Sequence, residues 1–158
     1  MPDHTGDWLD LSRVAAQTEA DIIVFCGVLF MAETAKILNP EKMVLLPSEK
    51  ALCSLAGGIS VEDIRDLKKQ YPGVPVVTYV NTYAAAKAES DYCCTSGNAA
   101  AVIKHLRGLG HEHIMLLPDE FLARNTAKEL GMNFVLPGFL KGEHRDLPEG
   151  PTIIGWRA

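Results

Sequence analysis

Along residues 1–136, short apolar runs alternate with amphipathic helical patterns. In the first run, Ile22-Ile23-Val24-Phe25-Cys26, β-branched and aromatic residues follow one another without a polar residue between them. Such unbroken runs are typical of strands that are covered on both faces, as in parallel sheets. Strands that alternate with helices therefore predict an α/β fold made of right-handed strand–helix–strand units.

Capping and turn residues set the predicted ends of these elements. Ser60, with Asp63 three residues later, is a capping signal at the start of a helix, and Gly131 ends another helix. The predicted strands are 22–27, 43–46, 75–80, 91–95, 114–117, 133–136 and 152–155. The predicted helices are 9–18, 31–38, 60–70, 83–89, 98–109 and 120–130.

The spacing of these elements fits two arrangements. One is a single flavodoxin-like sheet, and the other is a pair of similar three-layer αβα lobes with short parallel sheets. In the second arrangement, residues 1–82 form the first lobe and residues 83–158 form an incomplete second lobe. Because a helix comes first and nothing follows the last strand, we expect the first lobe to lack its opening strand and both ends to be cut.

The composition excludes several classes of protein. Of the 158 residues, 47% are hydrophobic and 22% are charged, which is globular rather than disordered composition. The 20 acidic residues outnumber the 15 basic ones, and nucleic-acid binding needs clustered Lys and Arg. The uncharged apolar stretch 22–32 is far shorter than the ~20 residues that span a bilayer. No secretory signal pattern follows Met1, so we expect a cytoplasmic protein.

The four cysteines favour reduced thiols over disulfides or zinc. Cys26, Cys53, Cys93 and Cys94 do not have the spacing of a zinc site, and disulfide frameworks belong to short secreted chains. Cys26 is expected in the core, because it lies within an apolar run. Cys53 differs, because it lies after a strand in a loop of small residues, where a thiolate can face a cavity.

Compact polar side chains follow several predicted strands, and ligands of open α/β sheets bind beyond the carboxyl ends of the strands. Ser96, within Thr95-Ser96-Gly97-Asn98, indicates either a carboxylate or phosphate site or an ordinary N-cap. Tyr79 and Asn81 end the third strand, where the tyrosine either reaches a ligand or is a half-buried strand residue. The segment His111-Glu112-His113 has no third metal ligand nearby and is interpreted as a turn.

Four long motifs occur in series along the chain. They are DIIVFCGVLFMAETAKILNP at 21–40, VLLP at 44–47 leading to CSLA at 53–56, PVVTYVN at 75–81 and CTSGNA at 94–99. In their order and spacing they resemble the quinolinate synthase family, which belongs to bacterial NAD biosynthesis. The resemblance runs from about Gly6 to Leu130 and is far more specific than a single short motif.

The resemblance implies three pseudo-symmetric αβα lobes around a central [4Fe-4S] cluster, held by one cysteine from each lobe. Cys53 matches the first of these metal ligands. Tyr79 is implied as a catalytic residue that assists proton transfer and, with Val80 and Asn81, as part of a substrate-binding segment. Ser96 matches the serine that binds a substrate carboxylate. The implied reaction condenses iminoaspartate with dihydroxyacetone phosphate to quinolinate, with a functional link to aspartate oxidase.

The chain departs from the family pattern at three places. The family's His-x-Tyr motif would precede residue 1, and the second and third cluster cysteines would follow residue 158. Gly6-Asp7-Trp8 stands where the family has Gly-Asp-Ser, so a serine that binds a carboxylate is replaced by a bulkier residue without a hydroxyl. Because one thiolate does not hold a [4Fe-4S] cluster, we expect this chain alone to be inactive. We also expect exposed apolar faces and self-association.

Two other functions stay open. A non-catalytic α/β module would keep Asn81 and Ser96 to bind a small dicarboxylate. A flavodoxin-like regulator would need an acidic cluster or a phosphate loop at its strand ends, for which Asp119 alone is weak support. Binding of a dicarboxylate to the chain, and its loss when Ser96 is changed, separates the module from a protein without such a site.

Overall fold

The computed structural model describes residues 1–137 and 146–158, and it confirms the α/β prediction. Helices and strands alternate, and the paired strands are parallel. The helices are α1 (Trp8–Gln17), α2 (Leu29–Leu38), α3 (Val61–Gln70), α4 (Ala84–Ala88), α5 (Ala99–Gly108) and α6 (Glu120–Leu130), with a short 3-10 helix at Ala56–Gly58. The strands are β1 (Ile22–Val24), β2 (Met43–Leu45), β3 (Val76–Tyr79), β4 (Tyr92–Cys94), β5 (His113–Leu117), β6 (Asn133–Val135) and β7 (Thr152–Ile154).

The strands form two sheets. β1 and β2 make a two-stranded sheet, and the other five strands are arranged in the order β4-β3-β5-β7-β6. The single flavodoxin-like sheet is therefore wrong, and the prediction of short parallel sheets is confirmed. The register aligns Tyr79 at the end of β3 with Cys94 at the end of β4, so the loops that follow these strands begin at the same edge.

Strand pairing separates the two sheets earlier in the chain than the predicted boundary after residue 82. Val77 of β3 pairs with Tyr92 of β4 and with Leu116 of β5, so β3 belongs to the larger sheet. Helix α3 packs on the same sheet, although it lies well before residue 82. The separation between the sheets therefore falls between β2 and β3. The division of the chain into lobes 1–82 and 83–158 stays a prediction.

The larger sheet has a core on both of its faces. Alternate residues of β5 point to opposite sides: Ile114 and Leu116 pack with residues of α5 and α6, whereas Met115 and Leu117 pack with residues of α3. All four side chains are at most 1% exposed. This arrangement explains the unbroken apolar runs, because a strand covered on both faces has no side that meets solvent.

The smaller sheet is covered on one face by α1 and α2. Phe25, at the end of β1, packs with Ala32 and Ala35 of α2, and Ile23 and Val44 contact this cluster. On the opposite face, four large apolar side chains are each at least 45% exposed: Ile22, Val24, Met43 and Leu45. Within residues 1–137 and 146–158, no helix covers this second face.

The helices are short and have defined ends. At the start of α3, the Ser60 hydroxyl accepts from the Asp63 N–H, and the Asp63 carboxylate accepts from the Ser60 N–H, which confirms the predicted capping box. The Asp119 carboxylate caps α6, and Gly131 ends α6 in the left-handed conformation at φ 63°. In the part of the chain that the structure describes, no helix combines the length and the apolar character that crossing a membrane requires.

Candidate functional site

The ends of β3 and β4 bring several predicted site residues together. Tyr79 is the last residue of β3, and its side chain lies close to that of Ser96 in the loop after β4. The N–H of Val80 donates to the C=O of Cys94 at 2.9 Å, so the backbone stays paired with β4 one residue beyond the end of β3. The structure thus places Tyr79, Val80 and Ser96 at one edge of the larger sheet.

The surroundings of Tyr79 raise the pKa of its phenol. Partial burial is the largest cause, the hydrogen bond with Ser96 acts in the opposite direction, and the negative charge of Asp119 adds to the increase. The charge of Asp7, just before α1, also raises this pKa. Tyr79 is therefore a neutral hydroxyl at pH 7 that can donate a proton, and Asp119 and Asp7 lie within electrostatic reach of it.

The loop after β4 leaves the start of α5 without a side-chain cap. Asn98 precedes α5, but its Oδ1 accepts from the Thr95 N–H at 2.7 Å and from the Thr95 hydroxyl at 3.1 Å. The Asn98 side chain therefore turns back toward β4 instead of capping the helix. Ser96 is exposed in the same turn. N–H groups that are not capped at a helix N-terminus attract carboxylates and phosphates.

Asn81 carries a buried acceptor that has no partner. Its Oδ1 is shielded from solvent and makes no hydrogen bond within the described residues. The adjacent Thr82 is satisfied, because its hydroxyl donates to the C=O of Tyr79 at 2.9 Å. A buried polar atom without a partner costs roughly 1–3 kcal/mol, so a ligand that donates to Asn81 would recover this free energy. This oxygen is the clearest indication of a ligand at the edge.

Cys53 lies in the loop between β2 and the 3-10 helix and is half-buried. Two residues later, Leu55 lines an open cavity of about 510 Å³ together with Asp119 and Arg157. Because Asp119 also lies within electrostatic reach of Tyr79, the loop that contains Cys53 borders the side of the molecule where Tyr79 lies.

One half-buried thiol is not a complete metal centre. The described residues contain no group of three or more His, Cys, Asp or Glu side chains that could hold a metal ion. Because a [4Fe-4S] cluster takes several thiolates, these residues alone do not fit it.

Of the other cysteines, Cys94 is buried, whereas Cys26 and Cys93 are exposed. The core prediction for Cys26 is wrong, because β1 ends at Val24 and Cys26 follows in the turn.

Trp8, which stands where the resemblance implies a serine, is the first residue of α1. Its ring meets the ring of Phe30 edge to face, with the two centroids 5.3 Å apart. The Asp7 carboxylate caps α1 by accepting from the Leu9 N–H at 2.9 Å. The indole therefore packs on α2, while the start of α1 lies near Tyr79.

Sequence reasoning missed two charged residues at this edge, Glu33 of α2 and Lys87 of α4. The Glu33 carboxylate accepts from the Ala84 N–H at 2.8 Å, and the Lys87 ammonium donates to the Thr82 C=O at 2.7 Å. One signal was present, because Lys87 is the single charge in the helix sequence AAAKA. The partners could not be found from local patterns, since Glu33 and Ala84 are 51 positions apart.

Comparison with known proteins shows long and close matches. A model of the quinolinate synthetase A protein family (NadA) matches residues 1–147. Quinolinate synthase 2 of Mesorhizobium japonicum is 57% identical over 135 residues, which cover 85% of this chain and 41% of that relative. The quinolinate synthase of Agrobacterium fabrum is 59% identical, again over 85% of this chain, and 38% of the relative is covered.

A third relative, the quinolinate synthase of Xylella fastidiosa, is 55% identical over 85% of this chain and 39% of its own length. The chain therefore spans about two fifths of the length of these relatives. The four motifs, the parallel α/β fold and the family match over residues 1–147 agree with one another. The chain belongs to the quinolinate synthetase A protein family.

Proposed function

We propose that this chain supplies the Tyr79–Ser96 part of a quinolinate synthase active site, where iminoaspartate and dihydroxyacetone phosphate condense to quinolinate. The observation that carries the proposal is the meeting of three polar groups at one sheet edge. They are the neighbouring side chains of Tyr79 and Ser96 and the unpartnered Oδ1 of Asn81. Both substrates are anionic, which suits the uncapped start of α5.

Each residue of this edge has a role that its surroundings support. Ser96, exposed at the start of α5, donates a hydrogen bond to a substrate carboxylate. Tyr79, kept neutral by its raised pKa, assists proton transfer. Asn81 accepts from a substrate N–H or O–H through its Oδ1. Val80 lies between them and keeps the segment paired with β4 through its bond to Cys94.

Cys53 is the proposed ligand of the [4Fe-4S] cluster that the family resemblance implies. When bound, such a cluster supplies an iron with an open site that acts as a Lewis acid. The half-buried position of Cys53 leaves its thiol accessible, but the described residues lack the further ligands that a cluster needs. We therefore propose that the chain alone is inactive.

The proposal also includes the setting of the reaction. The reaction belongs to NAD biosynthesis in the cytoplasm, and the partners of the site are small molecules rather than nucleic acid or membrane. Iminoaspartate is the product expected from oxidation of aspartate, so aspartate oxidase is the proposed source of this substrate. The net charge of −5 agrees with a protein that does not bind nucleic acid.

Replacing Ser96 with Ala should weaken binding of quinolinate by about tenfold or more, because a hydrogen bond to a charged group contributes about 1.5–3 kcal/mol. The measurement is calorimetric titration of quinolinate into the folded chain at pH 7. Ser48→Ala is the matched control, since Ser48 is an exposed turn serine whose hydroxyl accepts from the Lys50 N–H. Equal affinities of Ser96→Ala and the control would contradict the carboxylate site.

A second experiment places the chain in a longer relative. The matched region of the Agrobacterium fabrum quinolinate synthase is replaced by this chain, and chimera and chain are each reconstituted anaerobically with iron and sulfide. We expect cluster absorption and quinolinate formation in the chimera and neither in the chain alone. Dihydroxyacetone phosphate is added directly, and aspartate oxidase supplies the iminoaspartate.

Cysteine variants of the chimera complete this experiment. Cys53→Ala should abolish the cluster and the product, whereas Cys26→Ala, at an exposed cysteine that is not a proposed ligand, should keep both. A stable brown cluster on the chain alone would refute the prediction that it lacks a complete metal site. A chimera that keeps its cluster and its product formation after Cys53→Ala would refute the proposal that Cys53 is a cluster ligand.

A non-catalytic module that binds a small dicarboxylate is the second candidate. It needs only Asn81 and Ser96, which lie at the same sheet edge, and it needs no metal ligand. This candidate predicts that the chain alone binds quinolinate through Ser96 and that the folded, cluster-loaded chimera forms no product. Product formation by the chimera would exclude it.

A further inference from the structure

The loop between β3 and α4, taken together with the two residues that flank it (79–84), is held in place from outside by α2. The backbone N–H of Ala84 donates to the Glu33 carboxylate at 2.8 Å. The loop also has one internal bond, from the hydroxyl of the fully buried Thr82 to the C=O of Tyr79 at 2.9 Å. Because the loop contains Tyr79, Val80 and Asn81, whatever holds it also sets the geometry of the candidate site.

Lys87 makes a further external contact, in addition to the bond between the Val80 N–H and the Cys94 C=O. Its Nζ donates to the Thr82 C=O at 2.7 Å and to the Thr34 hydroxyl of α2 at 3.1 Å. The same Nζ lies 5.7 Å from the centroid of the Phe30 ring. The Thr34 hydroxyl in turn donates to the Phe30 C=O at 2.9 Å, so the position of this acceptor is set by α2 itself.

A half-buried ammonium is retained only when its surroundings compensate for the lost hydration. Burial lowers the pKa of Lys87, and Cys93, when ionised, and the Glu33 carboxylate act in the opposite direction. Because the pKa of Cys93 is itself raised, Glu33 is the one of these two groups that is charged at neutral pH. The charge and the two hydrogen bonds therefore favour one arrangement of α2, α4 and the loop between β3 and α4. A loop fixed by a helix of the other sheet is preorganised for a ligand, because less ordering remains to be done on binding.

We infer that Glu33, on α2, and Lys87, on α4, are positioning residues. They hold Tyr79 and Asn81 in their binding geometry. The inference rests on the proposed function, because it assigns both residues to the geometry of that same site. Neither residue needs to touch the substrate, since both act on the backbone of the loop that carries the site residues. The contacts predict that removing either residue loosens residues 79–84 before it unfolds the chain.

The test compares Glu33→Ala and Lys87→Met with a matched lysine elsewhere. Lys42 is also half-buried, and its Nζ donates to the C=O of Ala15 at 2.9 Å and to the C=O of Thr18, at the end of α1. Lys42→Met therefore removes the same kind of bond without touching the loop. Glu33→Gln and Lys87→Arg keep an acceptor and a cation, respectively, and serve as conservative rescue variants.

The first readout needs no ligand. In the Glu33→Ala and Lys87→Met chains, the amides of Val80 and Ala84 should exchange with solvent at least tenfold faster. The side-chain amide signals of Asn81 in the NMR spectrum should shift. Lys42→Met, at a comparable loss of stability in urea, should leave these signals unchanged. Unchanged loop signals in both site variants, or an equal change in Lys42→Met, would overturn the inference.

The second readout is the calorimetric affinity for quinolinate. It should fall about tenfold in Glu33→Ala and Lys87→Met and recover in Glu33→Gln and Lys87→Arg, while Lys42→Met binds like the unmodified chain. An affinity that stays unchanged although the loop has loosened would overturn the link between loop and site. If the unmodified chain binds no quinolinate, the proposed function fails. The amide exchange of Val80 and Ala84 and the NMR signals of Asn81 then still decide whether Glu33 and Lys87 hold the loop. Should an alanine or methionine variant not fold, Glu33→Asp, which shortens the reach to the Ala84 N–H, and Lys87→Gln, which removes the charge, are measured against Lys42→Gln by the same criteria.

Discussion

Neighbouring cysteines of β4 have opposite surroundings. Successive side chains of a strand point to opposite faces, so Cys94 lies in the core at 1% exposure while Cys93 is exposed. Burial raises the pKa of the Cys94 thiol to about 12, and the negative charge of Cys93 adds to the increase. Desolvation raises the pKa of Cys93 as well, but the Lys87 ammonium opposes it. Cys94 is therefore an inert thiol at neutral pH.

Cys94 should make the folded chain less stable above pH 9. Its pKa is raised in the folded state, so its contribution to stability is complete below the ordinary value of 9.0 and is lost as the pH rises toward about 12. One such group changes the free energy of unfolding by about 1.4 kcal/mol per pH unit within this range. Urea unfolding between pH 8 and pH 10 should show a steeper loss in the unmodified chain than in Cys94→Ala.

The control for this prediction is Cys26→Ala, which removes an exposed thiol. It should follow the unmodified chain, because it leaves the buried Cys94 thiol in place. If the curves of Cys94→Ala and the unmodified chain run parallel up to pH 10, the buried thiol is not responsible.

The residues of the candidate site were predictable, but their contacts were not. Tyr79, Asn81 and Ser96 could be named from their positions after predicted strands and from the motif order. The approach of the Ser96 side chain to Tyr79, and the unpartnered Oδ1 of Asn81, depend on how β3 and β4 pair and on what covers them. Glu33 and Lys87 were missed for the same reason, since their role lies in a helix–loop contact across the chain.

At the scale of the element, position was predicted better than length. Helix α6 is predicted and observed at Glu120–Leu130, because Asp119 caps it and Gly131 ends it. Strand β1 was predicted to reach residue 27 but ends at Val24, where the Gly27 N–H turns back to the C=O of Phe25 at 3.0 Å. Phe25 is only 6% exposed although it lies outside the strand, whereas Ile22 and Val24 lie in the strand and are exposed. The apolar run therefore determined neither the length of the strand nor the burial of each of its residues.

Replacing Ser60 with Ala should lower the free energy of unfolding by about 1 kcal/mol, because the N-terminus of α3 loses a capping acceptor. The Ser60 hydroxyl accepts from the Asp63 N–H at 3.1 Å in the unmodified chain. Urea unfolding measures the change, and Ser60→Thr, which keeps a hydroxyl, should lose much less. Equal losses in the two variants would show that the capping hydroxyl is not the cause.

At the scale of the whole molecule, side chains connect the two sheets, and one sheet face stays exposed. The Trp156 Nε1–H donates to the C=O of Gly58 at 2.8 Å, and Lys87 and Glu33 join α2 to the segment after β3. The smaller sheet presents Ile22, Val24, Met43 and Leu45 to solvent. Parallel sheets are covered on both faces in nearly all α/β proteins. An exposed apolar face of this kind favours contact with another protein surface.

We expect this face to make the chain self-associate. The double substitution Val24→Thr with Leu45→Thr keeps strand propensity while it lowers the apolar area, so the monomer fraction should rise. Sedimentation velocity over a range of concentrations measures this fraction. Leu109→Thr is the control, because Leu109 is 58% exposed but lies at the end of α5, outside the sheet. If the control changes association as much as the double variant, another surface is responsible.

Local patterns were sufficient for the class of fold, the parallel strands, the order of elements and the resemblance to the family, which the comparisons confirm. These features depend on apolar periodicity, caps and motif order, all of which are written within short stretches of chain. The strand order, the place of β3 in the larger sheet and the contact between Tyr79 and Ser96 emerged only in the tertiary structure. They depend on packing between residues far apart in the chain, and no short stretch of sequence records which distant partner a strand or side chain will meet.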